Sequence, residues 1–432
     1  MGRYFGTDGI RGVVGDTLTL AMAYHIGRAL KLVLNAEEAY VGTDTRLSKE
    51  SLKAALFEGA KAEGITLYDA GILPTPALAA YSAHHHVVTV MVTASHNPYT
   101  DNGIKVFDGG HKLTHDQELA IEALFEEDSP IIDETLVLPQ TDEVLEHYTA
   151  LFNLKPSNIN VMIDTANGAL FEVAPMILKP QAKRLKVIHN TPNGRNINFE
   201  CGSTHIEKMI GKADCRGVDV GFSFDGDGDR VLAMDCEGRI YTGDHLIFVL
   251  AQYLKHRGAL INHTVVLTVM SNPGVLNTYK RSGINVITTP VGDKYVSEAM
   301  LEGDVLLGGE NSGHIIDANH LMTGDGLWVA SRIIRIMDKT KKTLHELTQA
   351  IKYYPEKLTN LKGMDGKVLE DTSIKALVHD ITERFEDLGK VLLRKSGTEA
   401  LVRVYVSHKD EATMLQAHDQ LVKAIKEVAK GV

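Results

Sequence analysis

Three carboxylates alternate with glycines in Asp225-Gly-Asp-Gly-Asp229. Glycine leaves such a backbone free to fold around a hard cation, and three uncompensated carboxylates this close would repel one another. An EF-hand needs glycine at its sixth position and glutamate at its twelfth; Arg230 and Cys236 stand there instead, so that reading fails. A few carboxylates completed by an outside phosphate oxygen suit Mg²⁺ better than an all-protein calcium cage. Upstream, Val90-Met-Val-Thr-Ala-Ser95-His-Asn-Pro-Tyr99 ends an apolar run on a serine, with His96 beside it and Lys105 ten residues on. Those neighbours could supply proton transfer and positive charge. Arg394-Lys-Ser-Gly-Thr-Glu399, with Arg403, reads as an anion cradle. Arginine offers a planar fork, Ser396 and Thr398 add hydroxyl donors, and Gly397 lets backbone amides approach. Gly309-Glu-Asn-Ser-Gly313 offers a carboxylate, an amide and a hydroxyl, an inventory that suits sugar hydroxyls. The four loops belong together if the serine is phosphorylated and passes its phosphoryl group to a sugar. His84-His-His86 has no partner carboxylates and reads as a loop.

Each loop needs an element to deliver it. Val87 to Val92 is rich in β-branched residues and predicts a buried strand, stopped by Pro98. Before it come a helical pattern over 18–34, a strand at 39–42 and a helix capped by Ser48. A strand at 65–68 and a helix opened by Pro74-Thr-Pro76 follow. This alternation argues for parallel βαβ units. Phe5-Gly-Thr-Asp-Gly-Ile-Arg-Gly12 is too glycine-rich and polar for a strand or helix interior, and reads as a special loop presenting Arg11. The theme then restarts twice. Strands at 160–164 and 218–224 lead to the aspartate loop, and one at 305–307 leads to the glutamate loop. Thr242-Gly-Asp244 and Thr323-Gly-Asp325 each open an apolar helix after a hairpin, which points to duplicated units. Val291-Gly-Asp-Lys-Tyr295 leads into a helix with Lys294 at its start. The tail changes to strands at 391–393 and 401–406 between helices at 373–385 and 410–429. The expected architecture is α/β: three related mixed α/β domains (1–152, 153–256, 257–362), then a smaller α+β domain (363–432), around a central cleft.

The 432 residues carry a net charge of −11 with no basic stripe, which argues against nucleic acid and means that any positive charge for phosphates is gathered locally. Three cysteines, Cys201, Cys215 and Cys236, fit no metal-ligand spacing and point to a reducing compartment. With no apolar signal region and no 18-residue apolar run, a cytoplasmic location without membrane contact is expected.

Thr93-Ala-Ser-His-Asn-Pro98 with Asp101-Asn-Gly-Ile-Lys105, then Asp225-Gly-Asp-Gly-Asp-Arg230, Gly309-Glu-Asn-Ser-Gly-His314 and Arg394-Lys-Ser-Gly-Thr-Glu399, resemble the four signature loops of the α-D-phosphohexomutases. They occur in the same order and span nearly the whole chain. The opening motif and Glu310-Asn-Ser312 are similar to the branch that interconverts glucosamine 6-phosphate and glucosamine 1-phosphate on the route to UDP-N-acetylglucosamine. The resemblance implies an isomerase with Ser95 as the phosphorylated residue. It implies one Mg²⁺ held by Asp225, Asp227, Asp229 and the phosphoserine, and glucosamine 1,6-bisphosphate as activator and intermediate. Glu310 and Ser312 would hold sugar hydroxyls, with Lys294 also on the substrate. Arg394, Ser396, Gly397 and Thr398 would grip the phosphate not being transferred. Lys105, His96 and His314 are the implied acids and bases, and Arg11 and Arg230 would hold phosphate near the serine. The implied partners are small-molecule sugar phosphates, with homodimer formation left open. Ala400 stands where the family usually has proline, and the strand at 403–406 also varies; neither removes a phosphate donor. Phosphoglucomutase or phosphomannomutase activity is the nearest alternative. A sugar-phosphate phosphatase follows if water reaches the phosphoserine, so the fourth domain is expected to close as a lid.

Overall fold

The computed structural model describes residues 2–6, 8–126, 128, 132–133, 137–209, 215–395 and 401–431, with residues 430 and 431 described by backbone alone. The first sheet is built from β1 (Phe5–Gly6), β2 (Gly9–Val13), β3 (Glu38–Thr43), β4 (Thr66–Ile72), β5 (Val88–Val92), β6 (Asp101–Asp108) and β7 (His111–Lys112). Its order is β1-β2-β6-β5-β3-β4, with β7 on β6. β4, β3 and β5 are parallel, as the strand–helix alternation predicts; α1 (Leu20–Leu32) leads into β3, while α2 (Lys49–Ala62) and α3 (Thr75–His85) connect β3 to β4 and β4 to β5. Every residue of β5 is buried.

β6 runs back antiparallel to β5, pairing Met91 with Lys105, and β2 pairs with β6 through Arg11 and Gly103. The opening motif is therefore a β-hairpin rather than a loop. Its glycines serve close packing: Gly9 has φ +81°, and a Cβ there would collide with the Ile104 carbonyl. Ile10 between them is 1% exposed and anchors the hairpin in the core. Ser48 stands at the start of α2 but makes no capping bond with its side chain; it accepts from Asn102 Nδ2 at 2.9 Å instead. His84 and His85 belong to the last turn of α3, not to a loop, and His86 ends it at φ +56°.

α4 (His115–Leu124) and α5 (Glu143–Ala150) precede the second sheet. That sheet contains β8 (Asn160–Asp164), β9 (Arg184–Ile188), β10 (Val220–Phe224), β11 (Val231–Met234) and β12 (Ile240–Tyr241), with α6 (Val173–Leu178) between β8 and β9. The order is β12-β11-β10-β8-β9, with β10 parallel to β8 and antiparallel to β11. After α7 (Gly243–His256) come β13 (Thr264–Thr268), α8 (Pro273–Arg281), β14 (Asn285–Thr289), α9 (Asp293–Glu302), β15 (Leu307–Gly309), β16 (Ile315–Asp317), α10 (Gly326–Thr340) and α11 (Leu344–Thr348). The third sheet has the order β14-β13-β15-β16. The last sheet is antiparallel, β17 (Glu356–Lys362), β19 (Leu401–His408) and β18 (Gly389–Lys395) side by side, with α12 (Thr372–Phe385) and α13 (Glu411–Gly431). No strand is expected at β17 from the sequence, because it is charged and half-exposed, with only Leu361 buried.

The chain divides into two compact units, 1–269 with 287–348, and 270–286 with 349–432. In the second, Asn272 ties α8 to the antiparallel sheet: its Oδ1 accepts from Gly274 N and Tyr354 N, both at 2.9 Å, and its Nδ2 donates to Glu356 Oε2 at 2.7 Å. Ile374, Ile381, Phe385, Val404 and Leu421 form that unit's core, each apolar side chain contributing about 1.5–3 kcal/mol by burial. Among the described residues no helix is long and apolar enough to cross a membrane.

Candidate active site

Three adjacent strands bring Arg11 (β2), Lys105 (β6) and, just beyond β5, Ser95 together. Ser95 is fully buried and sits at φ +51°, a conformation that costs a non-glycine residue on the order of 1–3 kcal/mol and must be held by its surroundings. Its N–H donates to Thr93 Oγ1 at 2.9 Å. Its carbonyl accepts from Asn198 Nδ2 at 2.8 Å and from the Arg46 guanidinium at 3.0 Å. Arg46 is wholly buried, pairs with Asp44 at 2.8 Å, and donates to the carbonyls of Asn97 and Asp101, each at 2.9 Å, and of Pro98. The serine loop is thus wrapped around one guanidinium. Asp44, Arg46 and Asn198 have no assigned role in the sequence reading. The available signal was Thr43-Asp-Thr-Arg46, a charged pair just past a buried strand, the position that delivers every other functional loop here.

The aspartate loop follows β10 directly. A Cβ on Gly226 would collide with the Ser95 carbonyl, so only glycine lets the two loops meet. Ser95 Oγ donates to Asp225 Oδ2 at 2.6 Å and lies 3.1 Å from His96 Nδ1. Asp225, Asp227 and Asp229 are at most 3% exposed, which rules out an ordinary solvated turn. Asp227 Oδ2 accepts from Thr75 Oγ1 at 2.6 Å and Lys105 Nζ at 2.8 Å; Asp229 Oδ2 accepts from Lys105 at 3.2 Å. The other oxygens, Asp227 Oδ1 and Asp229 Oδ1, are buried and make no hydrogen bond. One oxygen from each of the three aspartates lies within 4.8 Å of the others. Three buried carboxylates converging in this way, two of them with an oxygen that accepts no hydrogen bond, fit a hard, oxygen-seeking cation.

Around them runs a network of opposite charges. Lys105 also reaches Asp8 at 2.8 Å, Lys112 reaches Asp8 at 2.5 Å and pairs with Asp293, and Arg11 pairs with Asp8. Burial alone would lower the Lys105 pKa, but Asp227, Asp8 and Asp229 outweigh it and hold the ammonium well above its ordinary value. Burial pushes Asp229 up, yet Lys105, His314 and Arg230 keep it well below the usual carboxylate range. Asp225 is different: burial, then the charges of Asp229 and Asp227, raise it well above that range. Burial, helped by Arg230 and Arg11, drops His96 to about 4. His314 accepts from Gly324 N at its Nε2 (3.1 Å), and its Nδ1 lies 3.8 Å from Asp229. Burial would lower His314, but Asp229 and Asp293 raise it above its ordinary value. The Nε groups of Arg11 and Arg230 are buried donors with no hydrogen-bond partner.

Ser95, His96, Lys105, Arg11, Arg230, His314 and the three aspartates therefore form one connected site. Glu310, at the end of β15, is buried, accepts from Gly292 N at 3.0 Å and lies within charge range of Arg230. Ser312 is exposed. Lys294 lines a small pocket with Asp8, Lys105 and Lys112. Asp8, Lys112, Asp293 and Thr75 are further members that the sequence reading did not single out. In the second unit Arg394 and Arg403 are direct cross-strand partners, both exposed. Ser396, Gly397 and Thr398 lie outside the described residues.

Comparison with known proteins gives three family matches. Residues 2–131 match phosphoglucomutase/phosphomannomutase alpha/beta/alpha domain I, 242–354 match domain III, and 358–424 match the C-terminal domain. The chain is 40% identical to phosphoglucosamine mutase from Acetivibrio thermocellus over 99% of both chains. It is 38% identical to that from Streptococcus gordonii over 100% of this chain and 99% of the relative. A phosphoglucomutase/phosphomannomutase family protein from Burkholderia thailandensis shares the fold with a TM-score of 0.79 at 22% identity, covering 98% of this chain and 97% of its own. N-acetylphosphoglucosamine mutase from Aspergillus fumigatus, solved with GlcNAc-6P and magnesium, shares it at 0.71 and 17% identity, covering 99% and 96%. With full-length identity at this level, and with the serine and aspartate loops meeting at a buried serine, the chain belongs to the phosphoglucosamine mutase family of the α-D-phosphohexomutases.

Proposed function

We propose that this chain interconverts glucosamine 6-phosphate and glucosamine 1-phosphate with Ser95 as the phosphoryl carrier. One observation carries the reading. Within one network around Ser95 Oγ, two buried carboxylate oxygens accept no hydrogen bond and two buried arginine N–H groups donate none. A divalent cation and a phosphoserine supply both at once.

In the first half-reaction the P–Oγ bond breaks as phosphorus bonds to a hydroxyl oxygen of the sugar monophosphate. The hydroxyl proton leaves to a base, and Ser95 Oγ regains a proton. The product, glucosamine 1,6-bisphosphate, turns end for end and returns its other phosphoryl group to Ser95. His96 Nδ1, 3.1 Å from Oγ and neutral at pH 7, exchanges the proton at the serine. Lys105, kept protonated by three carboxylates, acts as fixed positive charge rather than as a base. His314, which Asp229 and Asp293 hold above its ordinary pKa against the effect of burial, is the proton carrier on the sugar side. Asp225, Asp227, Asp229 and the phosphoserine would hold Mg²⁺, which when bound neutralises charge on the phosphoryl group. Arg11 and Arg230 grip that group's oxygens.

Glu310, Ser312 and Lys294 engage the sugar. Arg394, Ser396, Gly397 and Thr398 take the phosphate not being transferred. The direct pairing of Arg394 with Arg403 supports an anion there, because like charges opposite one another on a sheet destabilise it. The fungal relative's GlcNAc-6P and magnesium support the same ligand classes. A phosphorus NMR time course with glucosamine 6-phosphate, Mg²⁺ and a trace of the bisphosphate tests the reading. A glucosamine 1-phosphate signal growing to a fixed ratio is expected. Steady growth of inorganic phosphate alone would mean a phosphatase.

A further inference from the structure

The histidine run that ends α3 meets a partner sixty residues further along the chain. Tyr81 and His85 lie one turn apart on α3, and Glu143 and His147 lie one turn apart on α5, so each pair shares a helix face. The faces meet. Tyr81 Oη donates to Glu143 Oε2 at 2.7 Å, and its ring lies against His85 (centroids 4.2 Å apart) and edge-on to His147 (5.8 Å). Those contacts orient two imidazoles toward a third. Ring centroids are separated by 5.0 Å for His84 and His85, 4.8 Å for His84 and His147, and 5.3 Å for His85 and His147. One ring nitrogen from each lies within 4.8 Å of the other two. Tetrahedral zinc brings its nitrogen ligands about 3.4 Å apart. His84 and His85 are exposed and His147 half-buried, so side-chain rotation alone closes the difference.

We propose that His84, His85 and His147 form a second metal site, open to solvent at a fourth position, that takes Zn²⁺ or a similar borderline transition cation. Imidazole suits such ions, whereas Mg²⁺ seeks oxygen, so donor chemistry sorts the two cations between two sites. The sites sit at opposite ends of one helix. Thr75, at the start of α3, donates to Asp227, while His84 and His85 occupy its last turn, about 15 Å away along the axis. An ion bound by both helices clamps α3 to α5, the connector that precedes the second sheet, and stabilises the folded chain by mass action.

The test is calorimetric titration of Zn²⁺ into the full chain in excess Mg²⁺, beside His147→Gln and the double variant His84→Ala/His85→Ala. Wild type is expected to bind one equivalent and to gain melting temperature. Each variant should lose at least tenfold in affinity and all of the gain, with sugar-phosphate turnover in Mg²⁺ alone unchanged. Cu²⁺ electron paramagnetic resonance gives an independent ligand count, with nitrogen hyperfine from three imidazoles in wild type and fewer in the variants. Equal Zn²⁺ affinity in wild type and variants, or no Zn²⁺ binding by wild type, would overturn the proposal.

Discussion

Replacing Arg46 by methionine should damage both stability and turnover, although Arg46 touches neither the serine hydroxyl nor the aspartates. The side chain is fully buried and makes five hydrogen bonds, one to Asp44 and four to carbonyls of the 95–101 loop. Removing one partner of a buried ion pair costs about 3–5 kcal/mol. That is a large share of a typical stability of about 5–15 kcal/mol. Protonation of Asp44 limits the loss, since burial already raises its pKa against the pull of Arg46. The sign of the pH dependence follows. In the variant, the folded pKa of Asp44 lies above its unfolded value of about 3.9, so the unfolded chain releases the proton first as pH rises. The deficit is therefore smallest near pH 4 and grows to a plateau above the folded pKa. Guanidinium denaturation followed by fluorescence of Trp328, the one tryptophan, reports on the first unit. The midpoint should fall with an unchanged slope. Turnover should fall about a hundredfold as the serine loop shifts, and Asp44→Asn/Arg46→Met should recover stability but not turnover. A single variant within about 1 kcal/mol of the parent at neutral pH, with turnover kept, would refute the argument that this guanidinium shapes the loop.

Ser95→Ala should abolish phosphoryl transfer while leaving the melting temperature nearly unchanged; retention of most of the wild-type rate would exclude a serine carrier. Proton NMR of the His96 ring should show a titration midpoint near 4. Because its folded pKa is depressed below the unfolded value, His96 makes stability fall as pH drops from about 6.5 toward 4, and His96→Gln should lessen that slope. Lys105→Met removes the cation shared by Asp8, Asp227 and Asp229. The variant should melt lower without Mg²⁺ and gain more on adding it than wild type does; an unchanged Mg²⁺-dependent gain would count against Lys105 as the charge that balances the empty loop.

The serine and aspartate loops were legible because their chemistry is concentrated in short runs at strand ends. Ser95 and the alternating aspartates announce themselves by type and spacing alone. Their supports do not. Asp8, Arg46, Lys112, Asn198 and Asp293 are ordinary charged or polar residues until the fold brings them against partners up to 181 positions away. The opening hairpin was missed because its glycines look like loop residues, yet they are needed where β2 presses on β6. β17 was missed because an exposed sheet surface gives a charged pattern with one buried leucine. Lys105 was legible as a positive charge near the serine. That three carboxylates surround its ammonium and raise its pKa required coordinates.

The same charge pattern implies that metal and phosphate do not bind independently. A divalent cation alone would satisfy Asp227 Oδ1 and Asp229 Oδ1, but it would add charge beside Lys105, Arg11 and Arg230. A phosphoserine alone would satisfy the two arginine N–H groups, but it would set a dianion against Asp225, whose side chain already touches Ser95 Oγ. Bound together, each cancels the repulsion the other creates. At an effective dielectric near 20, one pair of unit charges 4 Å apart interacts by about 4 kcal/mol, and solvent and rearrangement reduce this to a coupling of about 1–3 kcal/mol, or 5–150-fold. Mg²⁺ should therefore bind the phosphorylated chain tighter than the unphosphorylated chain by that factor, measured by calorimetry on the two forms. Reciprocity requires Mg²⁺ to favour the phosphorylated serine equally. Equal affinities would mean that the unsatisfied oxygens and the unsatisfied arginines serve separate ligands, and that the two halves of the site are not electrostatically joined.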